Sequence, residues 1–175
     1  MRHPSSRPPA RKIPVLPSAL FLLLATAGPA QAGSCTVGSS GLAFGAYQPL
    51  TFAGKLTSSA VTSNASISVV CTGIASGGAY SIALGPSTTG SGDRISTRYL
   101  GNSNGGDDMS FNIYTSASYS TVWGNGTTGG LVGGSIPVGD SNQSQPVYGR
   151  IAASQNTLRA GSYSGSLTMT LTYNP

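Results

Sequence analysis

The sequence predicts an all-β domain, and three observations carry that prediction. The run Tyr163–Tyr173 places Tyr163, Leu167, Met169, Leu171 and Tyr173 at its odd positions, interrupted by Gly165, with Ser or Thr at every even one. Side chains alternate between the faces of a strand, so this pattern describes a strand with one dry and one wet face. Short apolar or alternating runs also recur along the chain, separated by clusters of Gly, Ser, Asn, Asp and Pro. Finally, glutamate is absent, glycine reaches 25 residues, and nothing after Cys35 sustains an apolar repeat at helical spacing.

The chain opens with Arg2, Arg7, Arg11 and Lys12, runs through an apolar stretch from Ala19 to Ala27, and reaches Ala30-Gln31-Ala32. A basic start, a short apolar middle and an Ala-x-Ala site describe a secretory signal peptide, residues 1–32, cleaved before Gly33. Its apolar part is too short to span a bilayer. Lipidation of Cys35 is disfavoured, because Ala32 stands where a large aliphatic residue is usual and Cys71 would be left single. Residues 33–175 then form one domain.

Removing the signal changes the charge argument. Lys55, Arg94, Arg98, Arg150 and Arg159 face Asp93, Asp107, Asp108 and Asp140, which leaves a net charge of +1. A nearly neutral domain has no basic stripe for phosphates, so nucleic acid is a poor partner. No second hydrophobic segment offers itself to a membrane.

Within the domain, strands are expected at Leu42–Tyr47, Ile67–Cys71, Tyr80–Leu84, Met109–Tyr114, Tyr119–Trp123, Val147–Ile151 and the final run. Turns are expected at Gly73–Gly78, Pro86–Asp93, Gly101–Asp108, Gly124–Gly134 and Gly139–Gln145. Strands at this spacing suggest a sandwich. Cys35 and Cys71 are the two cysteines, and in an exported chain such a pair predicts a disulfide, stabilising by about 4 kcal/mol through loop entropy. The final strand needs a neighbour on each side, from this chain or from another.

Catalysis finds little support. Gly101-Asn102-Ser103-Asn104-Gly105 fits the nucleophile-elbow pattern, but His3, the single histidine, leaves with the signal, and no base remains for Ser103. Asp107 and Asp108 are adjacent and point to opposite faces of an extended segment, so paired-carboxylate chemistry is disfavoured and the domain is expected not to be an enzyme. Asn102, Asn104, Asp107 and Asp108 offer oxygens to calcium without the register of a known loop, and no cofactor or metal is expected. Tyr99, Tyr114, Tyr119, Tyr148 and Trp123 either pack in half-buried strands or line a sugar-binding platform.

Taken together, Ser34-Cys35-Thr36-Val37, Phe44-Gly45-Ala46-Tyr47, Ile67-Ser68-Val69-Val70-Cys71 and Tyr80-Ser81-Ile82-Ala83-Leu84 begin a recognisable series. It continues through Arg98-Tyr99-Leu100, Met109–Tyr114, Trp123-Gly124, Tyr148-Gly149-Arg150-Ile151 and Gly161-Ser162-Tyr163. In this order the chain resembles the spore coat protein U domain, which is also the subunit domain of archaic chaperone–usher pili of the Csu type. The resemblance implies an immunoglobulin-like β-sandwich one strand short, completed by a donor strand from a periplasmic chaperone and later from a partner subunit delivered through an usher. It also implies the Cys35–Cys71 disulfide, transit through the periplasm to the cell surface, and a role in adhesion or biofilm formation. The groove or edge that accepts the donor is expected at Tyr163, Leu167, Met169, Leu171 and Tyr173. One departure stands out: polymerising subunits carry an alternating apolar extension before the first cysteine, and here Gly28–Ser34 has no alternation and includes Pro29. The chain is therefore expected to accept a strand and not to donate one. A free-standing secreted carbohydrate-binding module is the alternative.

Overall fold

Strand formation follows the inward-facing residues. In β1 (Ser34–Ser39), Cys35 and Val37 turn inward; in β2 (Val61–Ile74), alternate residues from Val61 to Cys71 do so. β3 (Gly78–Leu84) contributes Tyr80, Ile82 and Leu84, and β5 (Asp108–Tyr114) contributes Met109, Phe111 and Ile113. β4 (Arg98–Asn102), β6 (Val132–Ile136), β7 (Gly139–Ile151), β8 (Tyr163–Ser164) and β9 (Met169–Asn174) complete the set. A computed structural model describes residues 33–174, and the expected signal peptide, residues 1–32, lies outside them.

The described residues form two antiparallel sheets and no helix. The larger has the order β1-β2-β7-β5-β4-β8, the smaller β6-β3-β9. β2 and β7 form the spine, paired from Val61↔Ile151 to Cys71↔Ser141, with a bulge before Ile74↔Gly139. Gly73 takes φ 65° in that bulge and donates its amide to Asp140 at 2.9 Å, a conformation glycine adopts without strain. The disulfide joins Cys35 and Cys71, which face each other across β1 and β2.

The core lies between the sheets, where Val69 and Ile82 are completely dry. Trp123 belongs to it, buried, with its indole donating to the Ile82 carbonyl at 2.8 Å. The sheets are also tied by polar atoms: Gln145 donates to the Tyr80 hydroxyl at 2.7 Å, and Gln143 to the Ser135 carbonyl at 2.6 Å. Arg98 is the least expected member, with no exposed surface at all. Its guanidinium donates to the carbonyls of Leu84, Gly85 and Trp123 and, at 2.7 Å, to Asn112 Oδ1. Burial draws its pKa down to about 10, with Asp93 pulling the other way, so it stays charged at neutral pH. Carbonyl dipoles thus take the place of a counter-ion, and one side chain locks the ends of β3, β4 and β5 to the Trp123 loop.

Five expectations are corrected. Leu42–Tyr47 forms no strand: Gly41 and Gly45 take φ 80° and 74°, and no strand lies beside it, although Leu42, Phe44 and Tyr47 still turn inward. Tyr119–Trp123 makes only isolated bridges, because Tyr119 sits at φ 53° and bends the backbone out of line. Gly139–Gln145 is not a turn but the first half of β7, with Asp140, Gln143 and Gln145 held by the partners just described; Gly124–Gly134 runs into β6 at Val132.

The fifth correction concerns the final run, which is two strands. β8 pairs with β4 in the large sheet and β9 with β3 in the small one, so the chain changes sheets across Gly165–Thr168. Gly165 makes the crossing possible. A Cβ there would approach the Leu100 side chain and the Tyr99 carbonyl at 3.3 Å.

Candidate functional site

A sheet of six strands faces a sheet of three, and beyond the small sheet the larger inner face is flanked by segment 41–50 and by the crossing from β8 to β9. Over that part runs an open groove of about 1160 Å³. Its floor is apolar: Ile67 from β2, Val147 and Ile151 from β7, Met109, Phe111 and Ile113 from β5, and Leu100 from β4. These are the inward positions of strands whose other face meets water, so the alternation that builds the core also builds the floor.

One wall is the segment 41–50. Side chains hold it in place: Phe44 packs edge-on against Phe111 with ring centroids 5.9 Å apart, and the Tyr47 hydroxyl donates to the Ala152 carbonyl at 2.7 Å. Leu42 and Phe44 lie over Gly149, where any Cβ would collide with them. Among the described residues, no backbone–backbone hydrogen bond anchors this segment. The opposite wall is the crossing from β8 to β9, with Tyr163, Leu167 and Met169 lining the groove. β9 pairs with β3 along one edge and leaves the other unpaired. Segment 41–50 thus has no strand partner, its Ala43 and Gln48 carbonyls accepting from the Ser63 and Ser58 hydroxyls, and the crossing leads into β9, whose outer edge is unpaired.

Of the residues singled out from sequence, Tyr163, Leu167 and Met169 come together on this wall. Leu171 and Tyr173 do not: they continue along β9 outside the groove, opposite Ile82 and Tyr80, and the Tyr173 hydroxyl reaches the Gly33 carbonyl at 3.1 Å. All five are only half-buried. Sequence reasoning missed Leu42, Phe44 and Tyr47 as groove residues, although their inward spacing, broken by Gly45, was the available signal. Ser103 lies in the turn after β4, where its amide donates to the Ser162 carbonyl at 2.8 Å. Asp107 is paired with Arg159 at 3.4 Å, and Asn102 Oδ1 accepts the Asn104 amide. Among the described residues no three acidic, histidine or cysteine side chains gather as a metal site.

The geometry can be compared with known proteins. The family model of the spore coat protein U domain matches residues 19–170. The chain belongs to that family. Among solved structures, this spore coat protein U domain is similar to the chaperone–tip adhesion subunit pre-assembly complex from the archaic chaperone–usher Csu pili of Acinetobacter baumannii. The identity is 13% and the TM-score 0.47, over 80% of this chain and 40% of that one. The domain thus spans less than half of the solved chain's length. No curated protein matches it. Among its described residues no helix is long and apolar enough to cross a membrane.

Proposed function

We propose that this chain is an exported structural subunit of a surface pilus or coat, which takes a β-strand from a periplasmic chaperone and then from a partner subunit into the open groove. Adhesion or biofilm formation is the role of the resulting assembly. The observation that carries this reading is the groove itself, an apolar floor between segment 41–50, which has no strand partner, and the crossing that leads into the unpaired edge of β9. An inserted strand would extend the small sheet beyond β9 and lie along the apolar groove, covering the half-buried Phe44, Leu100, Leu167 and Met169 at its sides. Each apolar side chain it buries fully contributes about 1.5–3 kcal/mol, before the cost of ordering the donor.

Residues 1–32 serve as the export signal, and Tyr163, Leu167 and Met169 form the wall that the donor meets. Leu171 and Tyr173 extend the accepting edge away from the groove. Gly28–Ser34 lacks the alternation of a donor, so the chain caps other subunits and does not polymerise with itself. Nothing in this reading requires catalysis or a cofactor.

Thermal unfolding of the mature chain, with and without a peptide matching a partner subunit's N-terminal extension, tests the proposal. At a hundredfold excess over its dissociation constant the peptide should stabilise the domain by about 2.7 kcal/mol. A free monomer already stable and indifferent to every donor peptide would overturn it.

A further inference from the structure

The outer face of the large sheet carries a second feature, on the side away from the groove. Tyr114 of β5 stands opposite Tyr148 of β7, and Asn112 opposite Arg150, so each pair shares a face. After Tyr114 the chain folds back: Val122 bridges to Tyr114, and the Thr115 amide donates to the Thr121 carbonyl at 3.0 Å. At the tip of this excursion Tyr119 holds φ 53°, a strained conformation for a bulky residue. The strain places its ring edge-on to Tyr114, with centroids 5.4 Å apart, and under Arg150, whose guanidinium carbon lies 5.9 Å from the ring centre.

Beside this cluster opens a cleft of about 400 Å³, lined by Ser96, Thr97, Ser110, Tyr114 and Arg150 among others. Arg150 is exposed and makes no ion pair among the described residues, where the recorded pair is Arg159–Asp107. Asp93, which touches the lining residue Ser96, is already occupied by the amides of Ile95 and Ser96 and by the Ser96 hydroxyl. The cleft therefore combines an uncompensated guanidinium held over a tyrosine ring, a second tyrosine, and several hydroxyls. Trp123 and Tyr99 are not part of it: Trp123 is core, and the Tyr99 ring lies against Gly90.

We propose that this cleft binds a carboxylate-bearing sugar of a surface polysaccharide. Arg150 takes the carboxylate through its planar fork, a geometry that stacking on Tyr119 pre-orders. Tyr114 offers an apolar ring to the sugar face, and Thr97 and Ser110 exchange hydrogen bonds with its hydroxyls. The site opens on the opposite face of β5 from the groove, with Phe111 bordering both, and operates whether or not a donor strand is present.

Titration of the mature protein with an oligogalacturonate, followed by the NMR shifts of β5 and β7 amides, tests the assignment. Binding should weaken at least tenfold for the methyl-esterified oligosaccharide and for Arg150→Gln, and several-fold for Tyr119→Ala. Lys55→Gln should leave it unchanged, and a donor-strand peptide should not compete. No shift with the charged oligosaccharide would overturn the proposal; so would equal weakening by Lys55→Gln, which signals unspecific charge attraction, or displacement by the donor peptide.

Discussion

The two ends of this sandwich are written in the same alternating code and end in different states. Near the disulfide, Val69, Cys71 and Ile74 of β2 lie dry against Ile82 and Ile136 of the small sheet. Toward the other end, Phe44, Leu100, Leu167 and Met169 surround the groove and remain half-buried. Alternation commits a strand to having one face covered; it does not say which chain supplies the cover. The difference lies in the count of strands, six against three, and in β9 forming the unpaired edge of the smaller sheet.

The largest effect should come from the closed end. Replacing both Cys35 and Cys71 by Ser removes a loop of separation 36 from the constraints on the unfolded chain, at a cost of about 4 kcal/mol. Urea unfolding should show the same loss with and without a donor strand. Arg98→Met, at the junction of the two ends, takes the guanidinium from the Leu84, Gly85 and Trp123 carbonyls inside the protein, and should cost about 3 kcal/mol in the same assay. Ile82→Ala, in the dry core, should cost a similar 2–4 kcal/mol or so. Leu167→Ala sharpens the comparison: about 1 kcal/mol or less in the free chain, because the side chain is only half covered there, and roughly twice that in the strand-complemented form.

The smallest effect concerns acid. Hydrogen bonds from the Ile95 amide and the Ser96 hydroxyl hold the Asp93 carboxyl below 3.8, its ordinary value. A depressed carboxylate pKa contributes stability above the unfolded value and loses it as the pH falls through the folded one. Asp93→Asn should therefore be slightly less stable than the parent at neutral pH and equal to it in strong acid, as followed by thermal melts across that range.

Much of this was legible in the sequence. Tyr80–Leu84 and Met109–Tyr114 alternate cleanly and became strands, and the two cysteines meet across β1 and β2. Gln143 and Gln145 hid the first half of β7, since inward-facing amides read as turn residues until Tyr80 and Ser135 supply their partners. Leu42–Tyr47 has a strand's inward residues without a strand's neighbour, and a period of two cannot report a missing neighbour. The sheet change at Gly165 was masked because the alternation runs on through it. Arg98 had no pattern to betray it: its five acceptors come from four separate stretches of chain.

The central claim is that the groove between segment 41–50 and β9 awaits a strand from another chain. Amide hydrogen exchange of the mature protein, free and saturated with a partner subunit's N-terminal peptide, tests it residue by residue. The account predicts slowed exchange in Met169–Tyr173 and in residues 41–50 when the peptide is bound, with little change at Val69–Cys71, already protected between β1 and β7. Unchanged exchange along β9, or protection spread evenly over both ends, would contradict it.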